Sequence, residues 1–101
     1  MPVPGPLPEP GCTLAFEAGG VKLLLCNAGG EYYVVENRCP HAMVRLGDGT
    51  LQGTVLECAV HGGQLDVRSG MPVRPPIRRS VATYPVRSAD MGLEVGLPGL
   101  R

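Results

Sequence analysis

Four residues in two short segments have the types and the spacing needed to bind a metal. Cys39-Pro40-His41 is followed, after sixteen intervening residues, by Cys58-Ala59-Val60-His61. The chain contains four cysteines and two histidines, so both histidines and half of the cysteines lie in these segments. Two thiolates and two imidazoles are enough to complete a metal site that is shared between two loops.

Two kinds of metal centre use this ligand set. A 2Fe–2S cluster can hold one iron by two thiolates and the other by two imidazoles, which raises its potential above that of an all-cysteine cluster. The alternative is structural zinc, but zinc fingers usually place a cysteine pair before a histidine pair. Here the order is Cys39, His41, Cys58, His61. This order favours the iron–sulfur cluster and leaves a zinc-stabilised, non-redox interaction domain as the alternative.

Length, charge and hydropathy limit the class of protein. The chain has 101 residues, with nine basic and nine acidic side chains, so it lacks the basic excess of a nucleic-acid-binding domain. No apolar run approaches the 18 or so residues of a membrane helix. The first eleven residues have neither the basic start nor the apolar stretch of a secretory signal. We therefore expect a soluble, cytoplasmic, monomeric single domain.

The elements that must position these ligands are short strands. Residues 1–11 alternate proline with small residues and predict an extended arm, followed by one domain at residues 12–101. Within that domain, β-rich runs are separated by glycine-containing turns, and no helical periodicity is visible. The predicted strands are 13–17, 21–26, 31–36, 50–52, 54–57, 64–68, 80–86 and 93–97, with a polar link at 88–90. This pattern predicts an antiparallel, all-β fold.

Each ligand segment begins just after a predicted strand and enters a glycine-containing loop. Two such loops can face each other across a cluster while the strands below hold them in place. The run 21–26 is more apolar than the strand before it, as expected for a strand buried on both faces. Cys26 closes this run and is predicted to be a buried core thiol. Cys12 begins the first strand, where we assign it no functional role.

The two segments together resemble one protein family. Arg38-Cys39-Pro40-His41 and Cys58-Ala59-Val60-His61-Gly62-Gly63 are similar to the motifs of Rieske ferredoxins, the electron carriers of bacterial ring-hydroxylating oxygenase systems. The similarity spans residues 12–97 and includes 72–76, which resembles the proline loop that covers the cluster. The resemblance implies a Rieske-type domain in which Cys39, His41, Cys58 and His61 hold a 2Fe–2S cluster.

Departures from the respiratory Rieske proteins indicate a low-potential member. Those proteins have a disulfide between the cluster loops, at the positions of Val44 and Val60 in this chain. They also have a serine and a tyrosine that donate hydrogen bonds to the cluster sulfurs, where this chain has Gly63 and Leu65. Fewer donors stabilise the reduced cluster less, so we expect a potential on the order of −150 mV.

The function implied by the resemblance is electron transfer rather than catalysis on a substrate. A flavin-containing NAD(P)H reductase would load the cluster. A terminal oxygenase acting on aromatic or related compounds would unload it, either a Rieske non-haem iron enzyme or a diiron enzyme. The small subunit of an assimilatory nitrite reductase has the same fold and is a second candidate, although it often lacks the complete ligand set.

Side chains near the proposed ligands supply candidate partner contacts. Arg74, Arg78 and Arg79 flank the covering loop, where they could meet acidic groups of a redox partner or simply form a solvated basic rim. Ala42, Met43 and Gly62 are expected to form an apolar collar around the histidines, suited to brief docking.

Overall fold

The computed structural model describes residues 1–40, 44–90 and 92–97, and in these residues the fold is almost entirely antiparallel β. A 3₁₀ turn at Leu46–Asp48 is the only helical element described. The ten strands described are β1 (Thr13–Ala18), β2 (Val21–Ala28), β3 (Glu31–Glu36), β4 (Thr50–Gln52), β5 (Val55–Glu57), β6 (Gln64–Asp66), β7 (Pro72–Arg74), β8 (Thr83–Tyr84), β9 (Val86–Ala89) and β10 (Gly92–Val95). The all-β, antiparallel fold expected from the sequence is confirmed.

The described strands form three sheets. One four-stranded sheet has the order β1-β2-β3-β8, a second has the order β4-β5-β6-β7, and β9 pairs with β10. Gly19-Gly20 and Gly29-Gly30 make the tight turns on either side of β2, and all four glycines have positive φ. These turns set the register of β1, β2 and β3, because two-residue hairpins of this kind require left-handed backbone.

Strand β2 separates two hydrophobic cores and contributes side chains to both. Its side chains from Leu23 to Asn27 are buried, as predicted for a strand covered on both faces. Leu24 and Cys26 belong to the core beneath the proposed ligands, here called the site core. Leu23 and Leu25 belong to the other core, here called the basal core. The alternation follows from the two-residue period of a strand.

The proline-rich arm packs against the basal core. Val3 N donates to Leu93 O at 2.9 Å, and Val95 N donates to Met1 O at 2.8 Å. Pro2 and Pro4 flank Val3 and have no N–H, so Val3 supplies the only backbone donor of these three residues. The Val3 side chain is buried beside Leu93 and Val95. The first three residues of the arm thus add a short edge to the β9–β10 hairpin.

Several predicted strand limits are wrong. The predicted strand 80–86 is divided, because Pro85 separates β8, which pairs with β3, from β9, which pairs with β10. The predicted polar link at 88–90 is mostly strand, since Ser88 and Ala89 belong to β9. Strand β7 lies inside the segment that sequence reasoning treated as a loop. Its first residue, Pro72, is tolerated because β7 is an edge strand.

Candidate metal centre

The two ligand loops are closed in the same way. In the first ligand loop, residues 39–44, Cys39 N donates to Val44 O at 2.9 Å. In the second ligand loop, residues 58–63, Cys58 N donates to Gly63 O at 2.7 Å. Each cysteine therefore begins a six-residue loop that its own amide closes. Because the closures are backbone bonds within each loop, they fix where each thiol leaves the chain without help from a metal.

Strand ends anchor both loops from below. The first follows β3 through Asn37, whose amide N donates to Lys22 O and whose buried side-chain Oδ1 accepts from Gly47 N at 2.9 Å. The second connects β5 to β6. Gly49 lies against the carbonyl oxygen of Glu57, so closely that any Cβ at this position would overlap it. Through this contact, the segment that follows the first ligand loop packs against Glu57, the residue before Cys58.

His61 lies at an exposed turn of the second ligand loop. It has φ = 64°, and Gly62 follows with φ = 70°, so two consecutive residues are left-handed. A non-glycine residue in this region costs on the order of 1–3 kcal/mol and persists where the surrounding structure enforces it. Here the closure between Cys58 and Gly63 enforces the turn. His61 is therefore exposed, although Cys58, three residues earlier, is buried.

The covering segment, residues 72–76, leads into a close contact with the second ligand loop. A Cβ on Gly63 would lie 2.7 Å from Ile77 Cγ1 and 3.1 Å from Ile77 N, so only glycine fits without movement. Ile77 is buried in the site core. Two residues later, Arg79 Nη2 donates to Pro40 O at 3.3 Å in the first ligand loop. Ile77 and Arg79, which follow the covering segment, therefore contact the second and the first ligand loop respectively.

Burial distinguishes the four cysteines. Cys39 and Cys58 are each 1% exposed and belong to the site core, where the partly buried Val44 and Val60 also pack. Cys26 is buried on β2, and this burial raises the pKa of its thiol to about 12. Cys12 is exposed at the start of β1. Within the described residues, no cysteine forms a disulfide.

The structure describes three of the four proposed ligands. Cys39, Cys58 and His61 are placed as above, whereas His41 lies outside the described residues, as do Ala42 and Met43 of the proposed collar. Gly62 of the collar is half-buried. Among residues 1–40, 44–90 and 92–97, no group of three or more histidine, cysteine or acidic side chains is placed to hold a single metal ion.

The described donors fit a 2Fe–2S cluster in type and in environment. Two water-excluded thiols suit ferric iron, and an exposed imidazole suits an outer iron that must reach a partner. The loops that hold these donors are closed and anchored by backbone and amide hydrogen bonds, which suits ligands that must keep their positions in two oxidation states.

Sequence reasoning missed several supporting residues. Asn37, Gly49 and Ile77 hold the loops, yet each acts through a partner distant in sequence. Asn37 carries the clearest signal, since a polar residue two positions before Cys39 suggests an anchor for a loop. Asp48-Gly49 is typical of any turn, and nothing local indicates the close approach of Gly49 to β5.

No helix in the described parts of the chain has the length and apolarity needed to span a membrane.

Comparison with known proteins gives consistent matches. A family model described as "Rieske [2Fe-2S] domain" matches residues 5–85. The ferredoxin component of the naphthalene 1,2-dioxygenase/salicylate 5-hydroxylase systems of a Ralstonia species is 34% identical over 85 residues, covering 84% of this chain and 81% of the relative. The ferredoxin component of biphenyl 2,3-dioxygenase from Rhodococcus jostii is 34% identical over 90 residues, covering 89% and 84%.

Solved structures agree with these sequence matches. A ferredoxin of Sphingomonas yanoikuyae superposes with a TM-score of 0.83 at 32% identity, covering 89% of both chains. A chain in the complex of reduced oxygenase and oxidized ferredoxin of carbazole 1,9a-dioxygenase superposes with a TM-score of 0.82 at 30% identity, covering 87% of this chain and 91% of that one.

Proposed function

This chain belongs to the Rieske [2Fe–2S] domain family, and from that premise we propose that it carries single electrons to a terminal oxygenase. Its cofactor is a Rieske-type 2Fe–2S cluster. The relatives reported above are ferredoxin components of dioxygenase systems, electron-transfer parts rather than catalytic enzymes. They favour this interpretation over a nitrite reductase subunit or a zinc-stabilised domain.

The observation that best supports the proposal is the matched pair of ligand loops. Each starts at a buried cysteine, and each is closed by that cysteine's amide. Ile77 contacts the second loop and Arg79 contacts the first, so one stretch of chain touches both. We propose that Cys39 and Cys58 bind one iron and that His41 and His61 bind the other. The bound cluster supplies one-electron oxidation and reduction.

The residues around the ligands perform the remaining tasks. Leu46, Leu56, Leu65 and Ile77 surround the two cysteines and exclude water from their thiols. The left-handed turn at His61 presents an imidazole at the surface, where a partner can approach closely. Because the two cysteines are buried and His61 is exposed, a partner would approach a bound cluster from the histidine side.

The finer parts of the proposal concern partners and location. We propose that a flavin-containing NAD(P)H reductase loads the cluster. We also propose that the oxygenase acts on an aromatic or related hydrophobic compound, because the relatives serve naphthalene and biphenyl dioxygenases. Action in the cytoplasm and a monomeric state stay predictions from the sequence.

Electron paramagnetic resonance of the dithionite-reduced protein, combined with a redox titration, tests the proposal. We expect a reduced signal with average g below about 2.0 and a potential on the order of −150 mV. A colourless protein that binds zinc would refute the electron-transfer function. A potential above about +100 mV would refute the ferredoxin assignment, because that value belongs to the high-potential members.

Substitutions test the ligand assignment separately. Cys58→Ser and His61→Ala should each abolish the visible spectrum and the reduced signal. Cys12→Ser is the matched control, since Cys12 is exposed, precedes β1 and lies outside both loops. If Cys12→Ser also removed the cluster, the assignment of ligands to the two loops would be wrong.

A further inference from the structure

The charges of this chain are unevenly distributed. Residues 38–79, which contain both ligand loops and the covering segment, hold six arginines and three acidic residues, a net charge of +3. The rest of the chain carries −3, so that the whole is neutral. Net neutrality therefore conceals a basic stretch of chain, residues 38–79, here called the basic end, that contains the proposed ligands.

The arginines of this end fall into two groups. Arg68 forms a 2.7 Å ion pair with Asp66, and Arg45 lies 3.7 Å from Asp48, so acidic neighbours offset both charges. The other four are exposed, and no salt bridge involving them is present among the described residues. These four, here called the arginine rim, are Arg38, Arg74, Arg78 and Arg79.

Every member of the arginine rim adjoins a ligand loop. Arg38 immediately precedes Cys39, and Arg74 pairs across the sheet with Gln64, the residue after Gly63. Arg78 follows Ile77, which contacts Gly63, and Arg79 hydrogen-bonds to Pro40 O. The rim thus places positive charge on both sides of the loops through which the electron would leave.

A groove on the Arg38 side extends this basic surface. It has a volume of about 460 Å³ and is lined by Lys22, Arg38 and Arg45, with Glu36 as its one acidic residue. Its floor includes Asn37 and Val44, which anchor the first ligand loop. The groove is wide enough to admit a side chain from a docked protein.

We infer that the arginine rim and this groove form the docking surface for an electron-transfer partner whose contact face is rich in carboxylates. The inference rests on the proposed function, because the rim surrounds the exit of the electron. Positive charge around the exit increases the rate of encounter with an acidic partner and orients it on the loops. The interaction weakens as salt rises, since the Debye length falls from about 30 Å at 0.01 M to about 8 Å at 0.15 M ionic strength.

Small oxidants of opposite charge test the inference without an identified partner. The dithionite-reduced, cluster-loaded protein gives one electron to hexacyanoferrate(III), a trivalent anion, or to tris(phenanthroline)cobalt(III), a trivalent cation. Stopped-flow absorbance measures each rate against ionic strength. We expect the rate with the anion to fall about tenfold between 0.01 and 0.15 M and the rate with the cation to rise.

Single substitutions locate the charge. At 0.01 M ionic strength, Arg78→Gln and Arg79→Gln should each lower the rate of electron transfer to hexacyanoferrate(III) about three- to fivefold. This is the effect expected for one charge roughly 10 Å from a trivalent ion. Arg79→Lys should retain the rate, because it keeps the charge while changing the hydrogen bond to Pro40. Arg87→Gln is the control, since it removes the same charge from β9, outside the basic end.

Each outcome decides the inference. Equal effects of Arg87→Gln and Arg79→Gln, or rates independent of salt, would overturn it while leaving the electron-carrier function intact. A loss of rate in Arg79→Lys equal to that in Arg79→Gln would show that Arg79 acts through its hydrogen bond and would remove it from the docking surface. A protein with no reducible cluster would overturn the proposed function and the inference with it.

Discussion

Replacing Gly63 by alanine should speed the loss of the cluster through a clash with one identified residue. The added methyl carbon would lie 2.7 Å from Ile77 Cγ1, 3.2 Å from Ile77 Cδ1 and 3.1 Å from Ile77 N. The φ of Gly63 is not positive, so alanine meets no backbone penalty there and the cost is steric. Overpacking of this kind costs about 1–3 kcal/mol. Relief of that strain requires Ile77 to move away from the second ligand loop.

The assay is the rate at which visible absorbance decays at a fixed denaturant concentration in the presence of a chelator. Loss of a cluster is irreversible, so a rate is the appropriate measure of stability. If the strain is relieved on opening, about 1–3 kcal/mol corresponds to a rate about 5- to 150-fold higher.

A double-mutant cycle identifies the cause. Ile77→Ala alone should cost about 2–5 kcal/mol, because it leaves a cavity in the site core. Gly63→Ala should then add less than about 1 kcal/mol, since Cγ1 and Cδ1 are gone. Gly62→Ala is the control: it has φ = 70° and open space around it, so its cost should not depend on residue 77. An effect of Gly63→Ala that is unchanged in the Ile77→Ala background would refute the steric explanation.

Three further predictions concern single side chains. Asn37→Ala should cost about 1–3 kcal/mol and speed the decay of absorbance, because it leaves the partly buried Gly47 amide without its acceptor. Asn37→Asp keeps a side-chain acceptor and should therefore cost less. Iodoacetamide at pH 8 should label Cys12 in the native protein and spare Cys26, as read by mass spectrometry, because burial raises the pKa of the Cys26 thiol to about 12. That pKa lies above 9.0, the value for the unfolded chain, so the free energy of unfolding should fall as pH rises from 9 towards about 12. Chemical denaturation should show that this dependence on pH is absent in Cys26→Ala.

The fold class could be predicted from the sequence because it depends on local patterns, whereas the ligand set stays a prediction. Spacing identified the Cys39–His41 and Cys58–His61 segments, and glycine turns defined β1, β2 and β3 nearly to the residue. The apolar run of β2 predicted burial on both faces, and the structure confirms it. Local composition carries this information because a strand between two cores has no polar face.

The packing contacts around the site could not be predicted, because local patterns do not show which segments of the chain meet. Composition gives no indication that Ile77 would pack on Gly63, or that Val3 would bond to Leu93. The single strand predicted at 80–86 failed for a related reason. Its residues are strand-like individually, but Pro85 lies where the chain passes from one sheet to another.

The position of β2 between two cores also bears on how the cluster could be assembled. If the cluster were absent and the site core opened, Leu23 and Leu25 would still be packed in the basal core, and β2 would keep its hydrogen bonds to β1 and β3. We expect the amides of β2 to exchange with solvent only when the whole domain unfolds. A chain awaiting iron and sulfide would then present an ordered platform beneath the two ligand loops, and insertion of the cluster would require rearrangement only in the site core rather than the folding of the entire protein.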